Sequence, residues 1–221
     1  MTGLFISFEG GDGAGKSTQV QLLASWLTES GYTVVVTREP GGTELGAQIR
    51  HLLLHGGDVS ARAEALLYAA DRAQNMDTKI APALNRGEIV ITDRYLDSSV
   101  AYQGAARALG KDEVRDLSLW AVQGRMPDMT FLLDVPVETG KARVGTEQDR
   151  LEAAGVEFHQ QVRREFLALA EDRPDRWHVI DGTQSIDAIA QRIQESVSQA
   201  LKNGELVNER HTTLSDHSSN M

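Results

Sequence analysis

One run of residues narrows this 221-residue chain more than any other feature: Gly10-Gly11-Asp12-Gly13-Ala14-Gly15-Lys16-Ser17, which fits G-x-x-x-x-G-K-[ST]. A short apolar run, residues 4–8, leads into it and stops at Glu9. Behind it Val20, Leu22, Leu23, Trp26 and Leu27 recur at helical spacing until Gly31. The order is therefore buried strand, glycine turn, helix. Such a turn lets successive backbone N–H groups point inward around a polyphosphate, and the helix adds its positive N-terminal end. Lys16 is placed to reach the β and γ phosphates, and the Ser17 hydroxyl to ligate Mg²⁺. These residues, with Thr18, form the candidate ATP site.

The rest of the chain repeats the alternation. Residues 33–37 are β-branched, residues 88–93 are apolar and end in an acid, and residues 129–135 and 177–180 complete five strand candidates. Helical periodicity is expected over 44–54, over 61–84 as one helix or two, and over 98–109, 111–123, 156–171 and 186–201. Strands alternating with helices imply right-handed crossovers and a parallel sheet, so the expected fold is α/β in three layers, a five-stranded parallel sheet flanked by helices. Ligands on such sheets sit at the carboxyl ends of the strands. A single domain is expected over residues 1–202. The polar, aperiodic residues 203–221 are expected to be a disordered tail.

Composition removes several function classes. The chain has no cysteine, which excludes disulfides and thiolate chemistry and is compatible with a cytoplasmic location. Its 22 basic and 32 acidic residues give a net charge of −10, the wrong bias for gripping a nucleic-acid backbone. The first apolar run is too short for a signal peptide or a membrane span, so no membrane partner is expected. The six histidines show no metal-ligand spacing. No Asn-Lys-x-Asp tetrapeptide is present, which speaks against a guanine-reading switch protein. Trp26 and Trp177 read as core, and Trp120 as core or buried interface.

Asp93-Arg94-Tyr95 closes the third strand. A carboxylate at that strand end, beside the glycine turn, can hold Mg²⁺ with Ser17, and Arg94 can clamp an acceptor phosphate through its planar fork.

Beyond single motifs, the chain resembles the bacterial thymidylate kinases. The resemblance is carried in order by Phe8-Glu9-Gly10-Gly11-Asp12-Gly13-Ala14-Gly15-Lys16-Ser17-Thr18, Thr37-Arg38-Glu39-Pro40-Gly41-Gly42-Thr43, Ala69-Ala70-Asp71-Arg72-Ala73-Gln74 and Asp93-Arg94-Tyr95-Leu96-Asp97-Ser98-Ser99-Val100-Ala101-Tyr102-Gln103-Gly104. Pro127-Asp128-Met129-Thr130 and Asp149-Arg150-Leu151-Glu152 continue it. It implies the P-loop NTPase fold and transfer of the ATP γ-phosphoryl group to thymidine monophosphate (dTMP), with Mg²⁺.

It also implies site roles. Tyr68 would stack on the thymine, Arg72 donate to its carbonyl, and Gln103 read the base edge. Tyr102 would lie against the sugar and exclude a 2′-hydroxyl, and Asp12 would bond the 3′-hydroxyl. Arg50 and Arg94 would hold the acceptor phosphate, with Arg38 near the same loop and Ser99 in the acceptor site. A homodimer packed through the α-rich middle region is implied as well.

Phosphoryl transfer needs positive charge over the moving group. The variable positions of the glycine turn carry no arginine, a resemblance to family members whose mobile lid supplies it. A short lid is expected at about residues 141–152, with Arg143 and Arg150 as its catalytic cations beside Lys16, Asp93 and Arg94. Two other readings remain open at this point: a kinase for uridylate or cytidylate, and a module that binds ATP without transferring phosphate.

Overall fold

A computed structural model describes residues 3–144 and 154–211. In chain order β1 (Phe5–Glu9) leads to α1 (Lys16–Glu29), β2 (Val34–Arg38), α2 (Glu44–His55) and α3 (Ala61–Asn75). A π-helical turn, Met76–Ile80, carries α3 into α4 (Ala81–Asn85). Then come β3 (Ile89–Asp93), α5 (Leu96–Ser99), a second π-helical stretch (Val100–Ala106) and α6 (Lys111–Ala121). The chain continues with β4 (Met129–Asp134), α7 (Val137–Arg143), α8 (Val156–Asp172), β5 (Trp177–Asp181) and α9 (Ile186–His211).

The five strands form one parallel sheet in the order β2-β3-β1-β4-β5. The strands read as continuous apolar runs because both faces are covered. Successive side chains still divide between the faces. Ile6, Phe8, Ile91, Phe131 and Leu133 pack with Val20, Leu23 and Leu27 of α1 and Ile189, Ile193 and Val197 of α9. Phe5 and Val90 point the other way, into Met76, Ile80, Leu84, Tyr95 and Val100, and Leu132 meets Val162 and Phe166 of α8. Phe8 is fully buried, and truncating such a ring to alanine costs about 3–5 kcal/mol.

Register sets the site. Phe8 pairs with Asp93, and Asp93 pairs with Arg38, so three functional loops leave the sheet side by side. The π-helical stretch at Val100–Ala106 sits where Tyr102 and Gln103 must leave regular helix to reach that edge; π turns are often found at functional sites.

Two open readings are narrowed and one boundary moves. The 61–84 segment is two α-helices joined by a π turn, with Pro82 near the start of the second, where a missing N–H does no harm. Trp120 is not core: it is 80% exposed on α6. The last helix passes residue 202 and runs to His211, where a disordered tail is expected from 203. No proline interrupts this stretch, and a single glycine, Gly204, weakens a helix by only about 1 kcal/mol. Residues 212–221 lie outside the described residues. Among the described residues no helix is long and apolar enough to cross a membrane.

Candidate active site

Between β1 and α1 the glycine turn takes its shape from residues without side chains. Gly10 has φ +136°, and a Cβ there would meet the Leu133 carbonyl. Gly13 has φ +74°, and its would-be Cβ collides with the backbone of Gly140 on α7. The loop is therefore pressed against α7, and the open N-terminus of α1 faces a cleft of about 880 Å³.

Six cations line that cleft: Lys16, Arg38, Arg50, Lys79, Arg94 and Arg143. In a chain of net charge −10 this is a local positive field for a polyanion. Lys16 Nζ donates to the carbonyls of Gly10 (3.0 Å) and Gly11 (2.8 Å). Burial, with Arg94 nearby, pushes its pKa down to about 8 despite Asp93, Asp12 and Glu9. Ser17 Oγ donates to Asp93 Oδ2 at 2.7 Å. That pair is a hydroxyl and a carboxylate, hard oxygen donors at the mouth of the phosphate loop, and it suits Mg²⁺.

Arg94 joins this cleft to a second, narrower cavity of about 110 Å³. Its backbone is left-handed (φ 69°), uncommon for a residue with a Cβ, and is fixed by its N–H on the Phe8 carbonyl (2.9 Å). Nη1 donates to the Gly10 carbonyl (3.0 Å) and Ser98 Oγ (3.1 Å), and Nη2 to Asp12 Oδ1 (2.6 Å). Tyr102 Oη donates to the other Asp12 oxygen at 3.2 Å, and Arg94 lies over the Tyr102 ring. Burial alone would raise the Asp12 carboxyl, but Arg94 and Lys16 outweigh it and hold the pKa below its usual value.

Behind Arg94 stands Glu9, fully buried. It accepts from the Tyr95 N–H (2.8 Å) and from Ser98 Oγ, so it braces both the strained turn and a partner of the Arg94 guanidinium. Burial and the nearby Asp97 push Glu9 up to about 8.

The side cavity is lined by Arg50, Tyr68, Arg72, Ser99, Tyr102 and Gln103, among others. Arg50 Nη1 donates to the Pro40 carbonyl at 3.2 Å. Tyr68 packs on Ile49 and Leu53 while bordering the cavity. Arg72 is 1% exposed and is held on four partners. Nε donates to Glu39 Oε2 (2.7 Å), Nη1 to Ser118 Oγ (3.1 Å), and Nη2 to the Tyr95 carbonyl (3.3 Å) and Ser99 Oγ (3.1 Å). One Nη1 hydrogen remains unassigned to these bonds. Glu39 also accepts from Asn75 Nδ2 (3.2 Å), and burial pushes it up to about 7 although Arg72 pulls it down. Asp71 fixes the loop after Glu39 through the Gly41 N–H (2.9 Å).

The expected residues thus fall into two groups. Residues Gly13 to Thr18, with Arg38 and Asp93, go to the phosphate cleft, whereas Gly10 and Gly11 line an adjoining pocket against β4, α7 and α8. Tyr68, Arg72, Ser99, Tyr102 and Gln103 go to the side cavity, and Asp12, Arg50 and Arg94 border both. Arg38 is exposed and borders only the cleft, away from the cavity assigned to the acceptor. Of the expected lid, Lys141 and Arg143 belong to the helix α7, and Arg143 Nη1 donates to the Gly182 carbonyl at 3.1 Å on the cleft wall. Arg150 and the remainder of the lid lie outside the described residues. The acids Glu9, Glu39 and Glu64 were not singled out by sequence. For Glu64 a signal existed: Glu64, Tyr68 and Arg72 follow one another at i, i+4 and i+8, a single stripe of α3.

Comparison with known proteins points to one family. The family model described as thymidylate kinase matches residues 8–193. A thymidylate kinase of Leifsonia xyli subsp. xyli is 58% identical over 196 residues, 87% of this chain and 93% of that relative. One from Bifidobacterium longum subsp. infantis is 52% identical over 91% of this chain and 89% of its own length. The solved thymidylate kinase of Ehrlichia chaffeensis superposes with a TM-score of 0.75 at 33% identity, over 89% of this chain and 99% of that one.

Proposed function

This chain belongs to the thymidylate kinase family and phosphorylates dTMP to dTDP with ATP as donor, a step of dTTP synthesis; we propose that the two joined cavities divide that reaction between them. The observation that supports this division is their shared wall. Asp12, Glu39, Arg50 and Arg94 border both the triphosphate cleft and the side cavity, so an acceptor phosphate entering from the side meets a γ phosphate lying on the loop.

In this reading the 5′-phosphate of dTMP, held by Arg94 and Arg50, attacks the γ phosphorus in line. An oxygen–phosphorus bond forms, the β–γ bridging bond breaks and ADP leaves; no protein nucleophile takes part. Lys16 swings from the Gly10 and Gly11 carbonyls onto the β and γ oxygens. Arg143 adds charge from the cleft wall, and Arg150 is the second lid cation in the same reading. Ser17 and Asp93 would hold Mg²⁺, which when bound neutralises charge on the phosphate oxygens. Asp12 and Tyr102, already bonded to each other, fit the sugar edge. Tyr68 offers a ring for stacking, and Arg72 and Gln103 offer polar groups to the base.

A homodimer is part of the proposal. Leu45 and Leu52 on α2, Leu66 on α3 and Trp120 on α6 are exposed large apolar side chains of the α-rich middle region, where a subunit interface would cover them. The cysteine-free sequence suits a cytoplasmic enzyme.

The test is ADP release with Mg-ATP and each of dTMP, dUMP, UMP, dCMP and AMP, beside a control without acceptor. Strong turnover of dTMP, weaker turnover of dUMP and negligible turnover of the others is expected. Preference for another monophosphate would remove the roles given to Tyr68, Arg72 and Gln103. Equal ADP without acceptor would remove the transfer itself.

A further inference from the structure

A primary amide offers a donor at one end and an acceptor at the other, so which end Gln103 turns to the side cavity decides what it can read. We infer that Glu64 makes this choice, holding the Gln103 amide nitrogen so that its carbonyl oxygen is the group offered to the base. The inference rests on the base-reading role given to Gln103 above.

Gln103 Nε2 donates to Glu64 Oε1 at 2.8 Å, and both side chains are almost wholly buried. A carboxylate accepts hydrogen bonds and has none to give, so only one of the two amide orientations is compatible with it. The same oxygen also faces a cation, Arg107 Nε at 3.6 Å, an ion-pair distance, and the Arg107 guanidinium rests over the Phe158 ring. Glu64 does not border the cavity, whereas Gln103 does. Glu64 therefore acts through Gln103, as a positioning residue.

The consequence is chemical. Across the cavity Arg72 has one Nη1 hydrogen left to donate, and Gln103 presents an acceptor. A base edge with a carbonyl next to a ring N–H, as in thymine and uracil, complements both. The cytosine edge, an amino group next to an unprotonated ring nitrogen, mismatches both and would leave buried polar groups unpaired, which sites of this kind reject strongly. Glu64→Gln removes the constraint, because a glutamine can give or accept and lets Gln103 turn over.

The experiment measures kcat and KM for dTMP and dCMP in the full-length enzyme and in three variants. Glu64→Gln is expected to lower the dTMP-to-dCMP ratio of kcat/KM by about tenfold or more, mainly through a higher dTMP KM, with kcat for dTMP kept within about threefold. Glu64→Asp keeps an acceptor-only group and is expected to raise the dTMP KM while leaving the ratio within about threefold. Gln103→Leu should collapse the ratio. An unchanged ratio in Glu64→Gln beside a collapsed ratio in Gln103→Leu would overturn the role of Glu64 alone, as would a ratio lost equally in the Asp and Gln variants. An unchanged ratio in Gln103→Leu would instead remove the base reading on which the inference stands.

Discussion

At the phosphate cleft the groups that face the ligand are backbone N–H donors of a glycine turn, the end of α1 and a few cations, and the largest side chain among the glycines is that of Asp12. At the side cavity the ligand-facing groups are side chains of α3 and of the π-helical stretch after α5, each pinned by a second side chain: Arg72 by the buried Glu39, Gln103 by the buried Glu64, Tyr102 by the half-buried Asp12. The first region needs positive φ and close backbone approach, which a short contiguous motif can encode. The second needs paired buried polar groups that come from distant parts of the chain. Chemistry common to all ATP users sits in the first, and the choice of acceptor sits in the second.

This contrast can be broken most sharply at Lys16. Lys16→Met is expected to lower kcat by about 10³-fold for every acceptor, since it strips charge from the transferring phosphate. It should not lower the melting temperature, because burial already disfavours the charged Lys16. Steady-state kinetics and thermal melting on the same preparation check both halves.

The side cavity should behave in the opposite way. Arg72→Met breaks an ion pair whose two partners are each 1% exposed. It leaves Glu39 without its cation, so a stability loss of about 3–5 kcal/mol is expected in denaturant unfolding. Adding Glu39→Gln should recover part of that loss.

Arg94, the hinge between the regions, should show a mixed and smaller effect. Arg94→Lys keeps the charge but not the fork that spans Asp12, Gly10 and Ser98, and should cost about 10²-fold in kcat/KM for dTMP. The dTMP-to-dCMP ratio should not move, because Arg94 does not touch the base.

The smallest expected effect is on pH dependence. Glu9 has a folded pKa of about 8, raised above its ordinary 4.5 by burial and Asp97, so the folded state holds its proton more tightly. Its contribution is fully present below pH 4.5 and is lost as pH rises through about 8. Glu9→Gln should therefore flatten the fall in stability between pH 5 and pH 8, read from urea unfolding at each pH.

Sequence carried the sheet and the phosphate end well. The apolar runs at 88–93 and 129–135 became β3 and β4 within a residue at each end, because strands buried on both faces leave an uninterrupted apolar signal. Lys16, Ser17 and Asp93 came together as the motif spacing and the strand end require. The side cavity was readable only by resemblance. Arg72 and Gln103 taken alone look like solvated residues, and nothing local marks that Glu39, 33 positions before Arg72, would accompany it into the interior; Glu64, 39 positions before Gln103, is marked only by the stripe it shares with Tyr68 and Arg72. Periodicity also hid the two π turns, since one extra residue in a helical turn leaves the apolar pattern almost unchanged.

The division of labour is tested most directly by measuring kcat/KM for dTMP and dCMP in Lys16→Met and in Gln103→Leu, side by side with the parent enzyme. The account predicts that Lys16→Met loses turnover of both acceptors by a common factor and keeps their ratio. It predicts that Gln103→Leu keeps most of kcat for dTMP and loses the ratio. Loss of the ratio in Lys16→Met, or loss of kcat with an intact ratio in Gln103→Leu, would contradict it.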